Sequence, residues 1–369
     1  MRSAAWLLLA ACHSGAAMTV RDAPSADGTP PDAAAPRHLV AYVSGYAPNI
    51  AVFDFDAGTG TLASVGQVAA SAASPSFLAM TRTRLYAVSE AGDEIGAYAI
   101  DQTTGRPTLL DQVASGGSGP AYVGLDHTGR FVLAANYGDG AVAVLPVRAD
   151  GGIDGAIANP IAGANAHMIV SDPGNRFVFV PCKGADYIAQ YRFDATTGAL
   201  APNDPPTVAT AAGAGPRHLA FAPGGAFAYV INETNSTLTA FAYAAATGRL
   251  TALQTVSSRA PGASGSNTGA EVVVDPTGRF VYVSNRGDDT VAVFSIGGDG
   301  RVAQVGHVAT GKTPRSFALD PTGAWMLVAN QGAGSVSTYA LDHATGMPTA
   351  VGAPLAVTMP SFVGFVALP

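Results

Sequence analysis

Apolar and polar positions alternate along the chain in short runs from about residue 37 to the C-terminus. Each run spans five to seven residues, ends in a cluster of turn-forming residues, and lacks the spacing of an amphipathic helix. Alternation with a period of two is typical of a β-strand with one buried face. Residues 275–278 and 320–323, both Asp-Pro-Thr-Gly, place Pro and Gly where a tight turn needs them. The pattern therefore predicts an all-β protein of short antiparallel strands.

Groups of four such runs recur as an internal repeat with a period of about 44 to 54 residues. The copies open at Pro75, Pro120, Ala166, Pro216, Ala270, Pro314 and Pro360. A period of this length, built from short strands, is typical of the blades of a β-propeller.

The two ends of the repeat region complement each other. Residues 37–70 contain the later strands of a first blade but lack the Pro-led inner strand, and that strand occurs at residues 359–368. Pairing the two segments would close the ring and remove its exposed edges. We therefore predict a seven-bladed β-propeller, one domain from residue 37 to residue 369, closed by the C-terminal strand.

The N-terminal residues have the character of a targeting segment. Residues 1–12 hold Arg2, an apolar stretch and Leu9-Ala10-Ala11-Cys12, which resembles the lipobox of bacterial lipoproteins. Residues 13–36, rich in Ala, Pro, Asp and Gly, have the composition of a flexible tether. We expect a lipid anchor at Cys12 and a location in the cell envelope or periplasm. Translation from Met18 would instead give a cytoplasmic protein.

Composition narrows the function classes. Charged residues make up 12% of the chain, against about 25% in an average soluble protein, and the net charge is −7. We therefore expect no nucleic-acid partner, and no membrane contact except through the anchor. Once Cys12 is lipidated, Cys182 has no partner for a disulfide or a zinc site. Neither a metal nor a cofactor is predicted, and we expect a monomer.

Antiparallel topology predicts which side chains ring the axial channel. The residue after each blade opening and the residue that ends each second strand share one face, because the hairpin between them turns at the other face. These fourteen positions are Ser76, Ala121, His167, Arg217, Glu271, Arg315 and Ser361, and Tyr46, Glu90, Tyr137, Lys183, Glu233, Arg286 and Gln331. Eight of the fourteen are Arg, Lys, Glu or His, far above the 12% of the whole chain. With four cations against three carboxylates, the channel mouth suits a small anionic substrate.

A second set of repeated polar residues is predicted to stabilise turns rather than to take part in a functional site. Asp56, Asp101, Asp194 and Asp342 recur in turns that end in Thr-Gly between the third and fourth strands. We interpret this repetition as side-chain-to-backbone bonding within turns rather than as a metal site.

Several motifs resemble the 6-phosphogluconolactonase/cycloisomerase-2 family of seven-bladed propeller lactonases, over essentially the whole chain after the tether. They are residues 215–221 (Gly-Pro-Arg-His-Leu-Ala-Phe), 229–233, 282–287, 135–137 and 180–186. The resemblance implies hydrolysis of a phosphorylated sugar lactone or action on carboxymuconate lactones. It also implies a catalytic set, which by motif position is His167, Arg217, Glu233 and Arg286. The chain departs from many relatives in having Asn165-Ala166-His167 in place of His-x-His, and in a short stretch at residues 157–163.

The residues and the resemblance together predict a lactonase that acts on a sugar lactone, with 6-phosphogluconolactone as the type substrate. Glu233 or His167 would take a proton from water, and Arg217 and Arg286 would hold the oxyanion or a substrate anion. The predicted substrate-binding residues are Glu271, Arg315, Lys183, Tyr137, Glu90 and Gln331. Two alternatives stay open: a non-catalytic, envelope-tethered propeller that binds a ligand or protein, and a muconate-lactone cycloisomerase.

Overall fold

Twenty-seven short β-strands form seven antiparallel sheets in the structure, a computed structural model that describes residues 38–70 and 73–369. The predicted signal, Cys12 and the tether lie outside the described residues. Within residues 38–70 and 73–369, no helix is long and apolar enough to cross a membrane.

Each sheet is one blade, with strands numbered along the chain. The first blade contains β1 (His38–Gly45), β2 (Asn49–Asp56) and β3 (Thr61–Ala69). The second contains β4 (Leu78–Met80), β5 (Arg84–Ser89), β6 (Glu94–Ile100) and β7 (Pro107–Ala114). The third contains β8 (Pro120–Leu125), β9 (Phe131–Asn136) and β10 (Val142–Pro146).

The remaining four blades have four strands each. The fourth contains β11 (Val170–Ser171), β12 (Phe177–Cys182), β13 (Tyr187–Phe193) and β14 (Leu200–Ala209). The fifth contains β15 (Pro216–Phe221), β16 (Phe227–Asn232), β17 (Thr237–Ala244) and β18 (Arg249–Ser257). The sixth contains β19 (Thr268–Val274), β20 (Phe280–Arg286), β21 (Thr290–Ile296) and β22 (Val302–Ala309). The seventh contains β23 (Pro314–Leu319), β24 (Trp325–Asn330), a 3-10 turn (Gln331–Ala333), β25 (Ser335–Leu341) and β26 (Pro348–Ala356).

The last strand, β27 (Pro360–Leu368), completes the first blade and closes the ring. It pairs with β1 over the full length of that strand, from His38 opposite Leu368 to Gly45 opposite Pro360. The predicted seven-bladed propeller and its closure by the C-terminal strand are therefore confirmed.

The third blade departs from the four-strand prediction. Residues 157–161 lie where the fourth strand belongs, but they meet β10 only through isolated bridges, Ala141 to Ile161 and Val144 to Ala158. Pro160 has no N–H to donate, and pairing along this edge is confined to these bridges and to single backbone bonds, such as the one from the N–H of Val142 to the carbonyl of Pro160 at 3.0 Å. The short stretch noted in the sequence thus forms the outer edge of this blade.

The hydrophobic core lies between the blades. Seven buried clusters occur, one for each pair of neighbouring blades; the cluster between the fifth and sixth blades, for example, packs Tyr229 and Ile231 against Val281 and Phe294. Because alternate residues of a strand face opposite sides, each blade contributes one set of side chains to each neighbour. The ring is held together by these seven apolar layers.

A repeated hydrogen bond fixes the distance between blades. The buried hydroxyl of Tyr229, on a second strand, donates to the carbonyl of Gly300 in the following blade at 3.0 Å. Tyr282 donates to Gly346 in the same way at 2.9 Å. Tyr42 and Tyr86 repeat the contact with Gly105 and Gly151. The corresponding position of the fourth blade is Phe179, so the fold also accepts a ring without the hydroxyl there.

The Asp turns behave as the sequence predicts. Asp101 Oδ1 accepts hydrogen bonds from the backbone N–H of Thr104 at 2.8 Å, and Asp194 Oδ1 from that of Thr196 at 2.8 Å. These contacts lower the pKa of both carboxyl groups below the usual value of 3.8. The turn-bonding interpretation is confirmed.

Removing one of the interblade hydroxyls tests how much each contact stabilises the ring. We expect Tyr229→Phe and Tyr282→Phe each to lower the unfolding free energy by about 1 kcal/mol, since each leaves a buried carbonyl unpaired. The double variant should lose about the sum, because the sites do not share partners. Urea unfolding of the three variants measures this, and unchanged midpoints would show that the hydroxyls do not hold the blades.

Candidate active site

Five of the inner strands, β8, β15, β19, β23 and β27, open on β-bulges at the face where the second strands end, here called the upper face. In β15 the pairing shifts between Pro216 and His218, which leaves Arg217 as the extra residue. The same shift in β23 leaves Arg315. Two further inner strands leave Ala121 and Ser361. Because a bulge re-aims the side chain of its extra residue, these positions turn toward the axis.

The second strands reach the same face through buried asparagines. Asn136, Asn232, Asn285 and Asn330 lie at or next to the ends of these strands and immediately precede Tyr137, Glu233, Arg286 and Gln331. The amide of Asn285 donates to the carbonyl of Ser258 at 2.8 Å, and that of Asn232 to Thr239 Oγ1 at 3.0 Å. Each amide fixes the backbone just before a side chain that projects over the axis.

Aspartates in the upper hairpins position the neighbouring inner strands. Asp186, between β12 and β13, accepts from the backbone N–H of Gly213 at 2.7 Å and of Gly215 at 2.9 Å. Gly215 precedes the Pro216-Arg217 opening of the next blade. Asp93 holds Gly119, and Asp289 holds Thr313, in the same way. The upper hairpin of one blade thereby fixes the bulge of the next.

These elements enclose a cavity of about 220 Å³ at the upper end of the axis. Its lining residues are Glu90, Ala121, Tyr137, His167, Lys183, Glu233, Arg286 and Arg315. All eight belong to the fourteen positions predicted from the topology. The volume lies below the 300–1,000 Å³ of pockets for drug-sized ligands, so it suits a molecule of about one sugar ring.

Glu233 is the electrostatic centre of the cavity. Its Oε1 is 2.7 Å from Lys183 Nζ, and its Oε2 is 3.1 Å from both Arg217 Nε and Arg286 Nη2. Burial opposes ionisation of this carboxyl group, but the three cations outweigh it and lower its pKa to about 2. Burial in turn lowers the pKa of Arg217 to about 9, so its guanidinium stays charged at neutral pH. One carboxylate thus holds three cations together.

His167 lines the cavity as a neutral imidazole. Its backbone N–H donates to the carbonyl of Pro181 at 3.0 Å, and its ring packs edge-on against Tyr137 with centroids 5.5 Å apart. Burial and then the charge of Arg217 lower its pKa well below the usual 6.5. Its Nδ1 is buried and has no hydrogen-bond partner among the described residues. A neutral imidazole carries a lone pair on one of its two ring nitrogens, so His167 can accept a proton, although burial and Arg217 make it a weaker base than an exposed histidine.

Arg315 is a cation that no carboxylate pairs with in the described part of the chain. Its guanidinium lies 5.3 Å from the centroid of the Tyr46 ring, a cation–π contact that holds it at the cavity wall. Glu90 lies on the same side beside the Tyr46 hydroxyl. Arg315 therefore keeps its charge available for a ligand anion.

Three predicted site residues do not line the cavity. Arg217 lies below the floor, where it holds Glu233 and donates to the carbonyl of Ala270 at 2.6 Å. Gln331 begins the 3-10 turn of the seventh blade, away from the cavity.

Glu271 requires a correction of its predicted place in the ring. In the sixth blade Gly269 pairs with Asn285, as Pro216 pairs with Asn232 in the fifth, so the blade opens one residue earlier than predicted. Glu271 consequently lies one layer deeper along the axis than Arg217. It faces His218 rather than the cavity.

His218 is a residue that the sequence reasoning missed. Strict alternation after Arg217 would turn it away from the axis, but the bulge brings both side chains to the channel. It borders a void of about 10 Å³ below the cavity, together with Glu271, Arg315, Ser76 and Ser361. The sequence did offer one sign of this position: His218 directly follows the Pro216-Arg217 pair at which the bulge forms.

The arrangement contains what ester or lactone hydrolysis needs: a neutral base and a group of cations around a small cavity. Across residues 38–70 and 73–369, no group of three or more His, Cys, Asp or Glu side chains is placed to hold a metal ion.

Comparison with known proteins finds similarity to lactonases along most of the chain. The sequence model of the family described as "Lactonase, 7-bladed beta-propeller" matches residues 38–365. The 6-phosphogluconolactonase of Pectobacterium carotovorum (strain PC1) is 33% identical over 222 residues, which cover 60% of this chain and 67% of that protein.

Two solved structures share the fold and part of the sequence. The periplasmic gluconolactonase of Pseudomonas aeruginosa superposes with a TM-score of 0.84 at 31% identity, covering 90% of this chain and all (100%) of that one. A putative 6-phosphogluconolactonase of Bacteroides fragilis gives 0.82 at 29% identity, covering 89% of this chain and 98% of that one.

Replacing the central carboxylate tests the charge network. We expect Glu233→Gln to lower the unfolding free energy by about 3–5 kcal/mol, because three cations would then face each other without a counter-charge. Glu90→Gln is the matched control, since Glu90 lines the same cavity without an ion pair. Equal losses in the two variants would contradict a central role for Glu233.

The same comparison predicts a pH dependence. The pKa of Glu233 is lower in the native state than its ordinary value of 4.5, so its stabilising effect is present above pH 4.5 and is lost as the pH falls toward about 2. The stability difference between the native protein and Glu233→Gln should therefore shrink between pH 4.5 and pH 3. Denaturant titrations at several pH values measure it, and a constant difference would contradict the assignment.

Proposed function

The chain belongs to the family of seven-bladed β-propeller lactonases, and we propose that it hydrolyses a sugar lactone in the 220 Å³ cavity at the upper end of the axis. The observation that carries this proposal is the neutral, unpartnered His167 in a cavity whose wall also presents Lys183, Arg286 and Arg315. A base and cations on one small cavity are the two requirements of lactone opening.

His167 is the better candidate for the general base. Both oxygens of Glu233 are already engaged by cations, and its pKa of about 2 makes it a weak proton acceptor. His167 has no ion pair, and although burial and Arg217 lower its pKa, its neutral imidazole carries a nitrogen lone pair that no cation occupies. We therefore assign proton transfer to His167 and the organisation of the cations to Glu233.

In the proposed reaction a water molecule attacks the lactone carbonyl carbon while His167 takes one of its protons. The carbonyl oxygen becomes an oxyanion that Arg286 and Lys183 stabilise. When the intermediate collapses, the ring C–O bond breaks and the leaving oxygen takes the proton back from His167. Lactone and water thus yield a hydroxy acid.

Anion binding is assigned to Arg315 in the cavity lining. Arg315, which has no carboxylate partner, is placed to receive a phosphate or carboxylate of the substrate. Tyr137 and Glu90 offer hydroxyl and carboxylate groups to the sugar hydroxyls. Arg217 acts through Glu233 rather than on the substrate.

The substrate class follows from the relatives' names and from the cavity. Similar proteins are named 6-phosphogluconolactonase and gluconolactonase, and both of their substrates are single-ring sugar lactones. The free cation Arg315 favours the phosphorylated form. We also propose a periplasmic location with a lipid anchor at Cys12, supported by the periplasmic gluconolactonase among the similar structures and by the lipobox-like residues 9–12.

Hydrolysis of 6-phosphogluconolactone and of gluconolactone by the purified protein tests the proposal. We expect turnover above the spontaneous rate on at least one of them, with the phosphorylated lactone preferred. His167→Gln should reduce kcat by about 10²–10⁴-fold, as expected when a general base is removed. Arg286→Ala should reduce it by about 10²–10³-fold, as expected when an oxyanion donor is lost.

A matched control separates chemistry from general perturbation. His343→Gln replaces an exposed histidine in the turn between β25 and β26 and should leave kcat unchanged. A folded protein without turnover on either lactone would overturn the proposal in favour of a binding propeller.

A further inference from the structure

A second buried ionisable pair lies directly beneath the cavity and has no part in the chemistry proposed so far. His218 Nδ1 is 2.7 Å from Glu271 Oε1, and the two residues are 2% and 8% exposed. The backbone N–H of Val272 also donates to Glu271 Oε1, at 3.1 Å. Burying an ionisable pair costs desolvation free energy, so a pair this far from solvent suggests a functional role that offsets the cost.

The pair fixes the tautomer of His218. An ionised carboxylate only accepts hydrogen bonds, so His218 Nδ1 carries the proton and Nε2 holds a lone pair. Burial opposes ionisation of Glu271, but His218 and Arg217 favour it, and the pKa of this carboxyl group stays below 4.5. Nε2 of His218 is buried without a hydrogen-bond partner among the described residues. A proton acceptor is thus held ready inside the protein.

His167 lies next to this acceptor. The rings of His167 and His218 meet edge-on with centroids 5.1 Å apart, and His167 Nδ1 is the second buried ring nitrogen without a partner. Buried polar atoms are nearly always hydrogen-bonded, so two unpartnered nitrogens on adjacent imidazoles are unusual. The void of about 10 Å³ beside His218 has room for about one water molecule.

Resting on the proposed lactone hydrolysis, we propose that His167, His218 and Glu271 form a buried proton relay. His167 is the only one of the three that touches the substrate. His218 and Glu271 are positioning residues that act through it.

Proton movements in the relay balance with the reaction. When His167 takes a proton from the attacking water at the nitrogen that faces the cavity, its Nδ1–H proton passes to His218 Nε2 through one water molecule, because the two nitrogens are not hydrogen-bonded to each other. The positive charge then lies on His218, beside the Glu271 carboxylate. When the ring C–O bond breaks, the proton returns to His167 Nδ1, and His167 protonates the leaving oxygen.

The surroundings explain why a relay would be useful. The charged and titratable groups that face the two imidazoles are Arg217, Arg315, Glu271, Tyr122 and Tyr137. The two arginines oppose a positive charge on His167, and Glu271 is the carboxylate that favours one on His218. Tyr122 and Phe77 pack edge-on against His218, each with ring centroids 5.8 Å away. Because the pair is buried, the single carboxylate of Glu271 acts on His218 more strongly than it would in water.

Nitrogen-15 NMR of the histidine rings tests the relay without any assay of activity. In the native protein we expect His218 as the Nδ1–H tautomer. In Glu271→Gln, which keeps a hydrogen-bond acceptor of the same shape, the protonation midpoint of His167 should move to lower pH by about one unit, although Glu271 does not touch His167. The matched control is Tyr122→Phe, which keeps the packing against His218 and removes no member of the relay. An unchanged midpoint in Glu271→Gln, or an equal shift in Tyr122→Phe, would overturn the relay.

Kinetics provide the second readout. Glu271→Gln should reduce kcat by about tenfold or more with KM unchanged, and the acid limb of the pH profile should move to lower pH. Tyr122→Phe should change neither. A native protein that hydrolyses lactones while Glu271→Gln and His218→Asn retain full kcat would refute the relay and leave the proposed function intact. A native protein without turnover would refute the proposed function, and the NMR titration alone would then decide the relay.

Discussion

The pairing of the first strand with the last is the interaction on which the site depends. β27 continues the sheet of β1. The hydroxyl of its Ser361 also donates to the carbonyl of Ser76 at 2.8 Å, just before the inner strand of the second blade. Closure removes the two edges that an open array of blades would expose. It also sets the circumference of the ring and therefore the distance across the axis. The cavity is small because seven inner strands meet around it.

Charge is concentrated where closure brings the strands together. The chain has few charged residues, yet cations from three different blades converge on Glu233, through Lys183, Arg217 and Arg286. Such a group would repel itself without a carboxylate at its centre. Because Glu233 neutralises only one of the three charges, the cavity stays positive inside an acidic protein. That surplus is available to an oxyanion or a substrate anion, and it is also what keeps Glu233 from acting as a base.

The sequence alone predicted the ring, its closure and every residue that lines the cavity, because strand alternation and hairpin direction suffice to place the ends of strands. It was wrong where backbone pairing departs from alternation. Glu271 lies one layer deeper than predicted, since the sixth blade opens at Gly269 instead of Ala270. His218 was overlooked, since only a bulge can turn two consecutive residues to the channel. The outer edge of the third blade pairs through isolated bridges instead of a regular fourth strand. Bulges and isolated bridges depend on neighbouring blades, and those neighbours are not visible in a local pattern.

Division of labour within each blade explains how this fold carries chemistry. The regular parts of the strands repeat the same contacts, such as the Tyr229 and Tyr282 hydroxyls on glycine carbonyls. The bulge position, by contrast, differs from blade to blade and holds alanine, serine or arginine, among them Ala121, Arg217 and Arg315. A side chain at a bulge points to the axis and contributes little to the layers between blades. Its identity is therefore set by the ligand and by the other charges at the axis rather than by packing. The upper aspartates, such as Asp186, bond to the backbone before the bulge and hold its geometry whatever side chain it carries. Stability thus resides between the blades and reactivity at their inner ends.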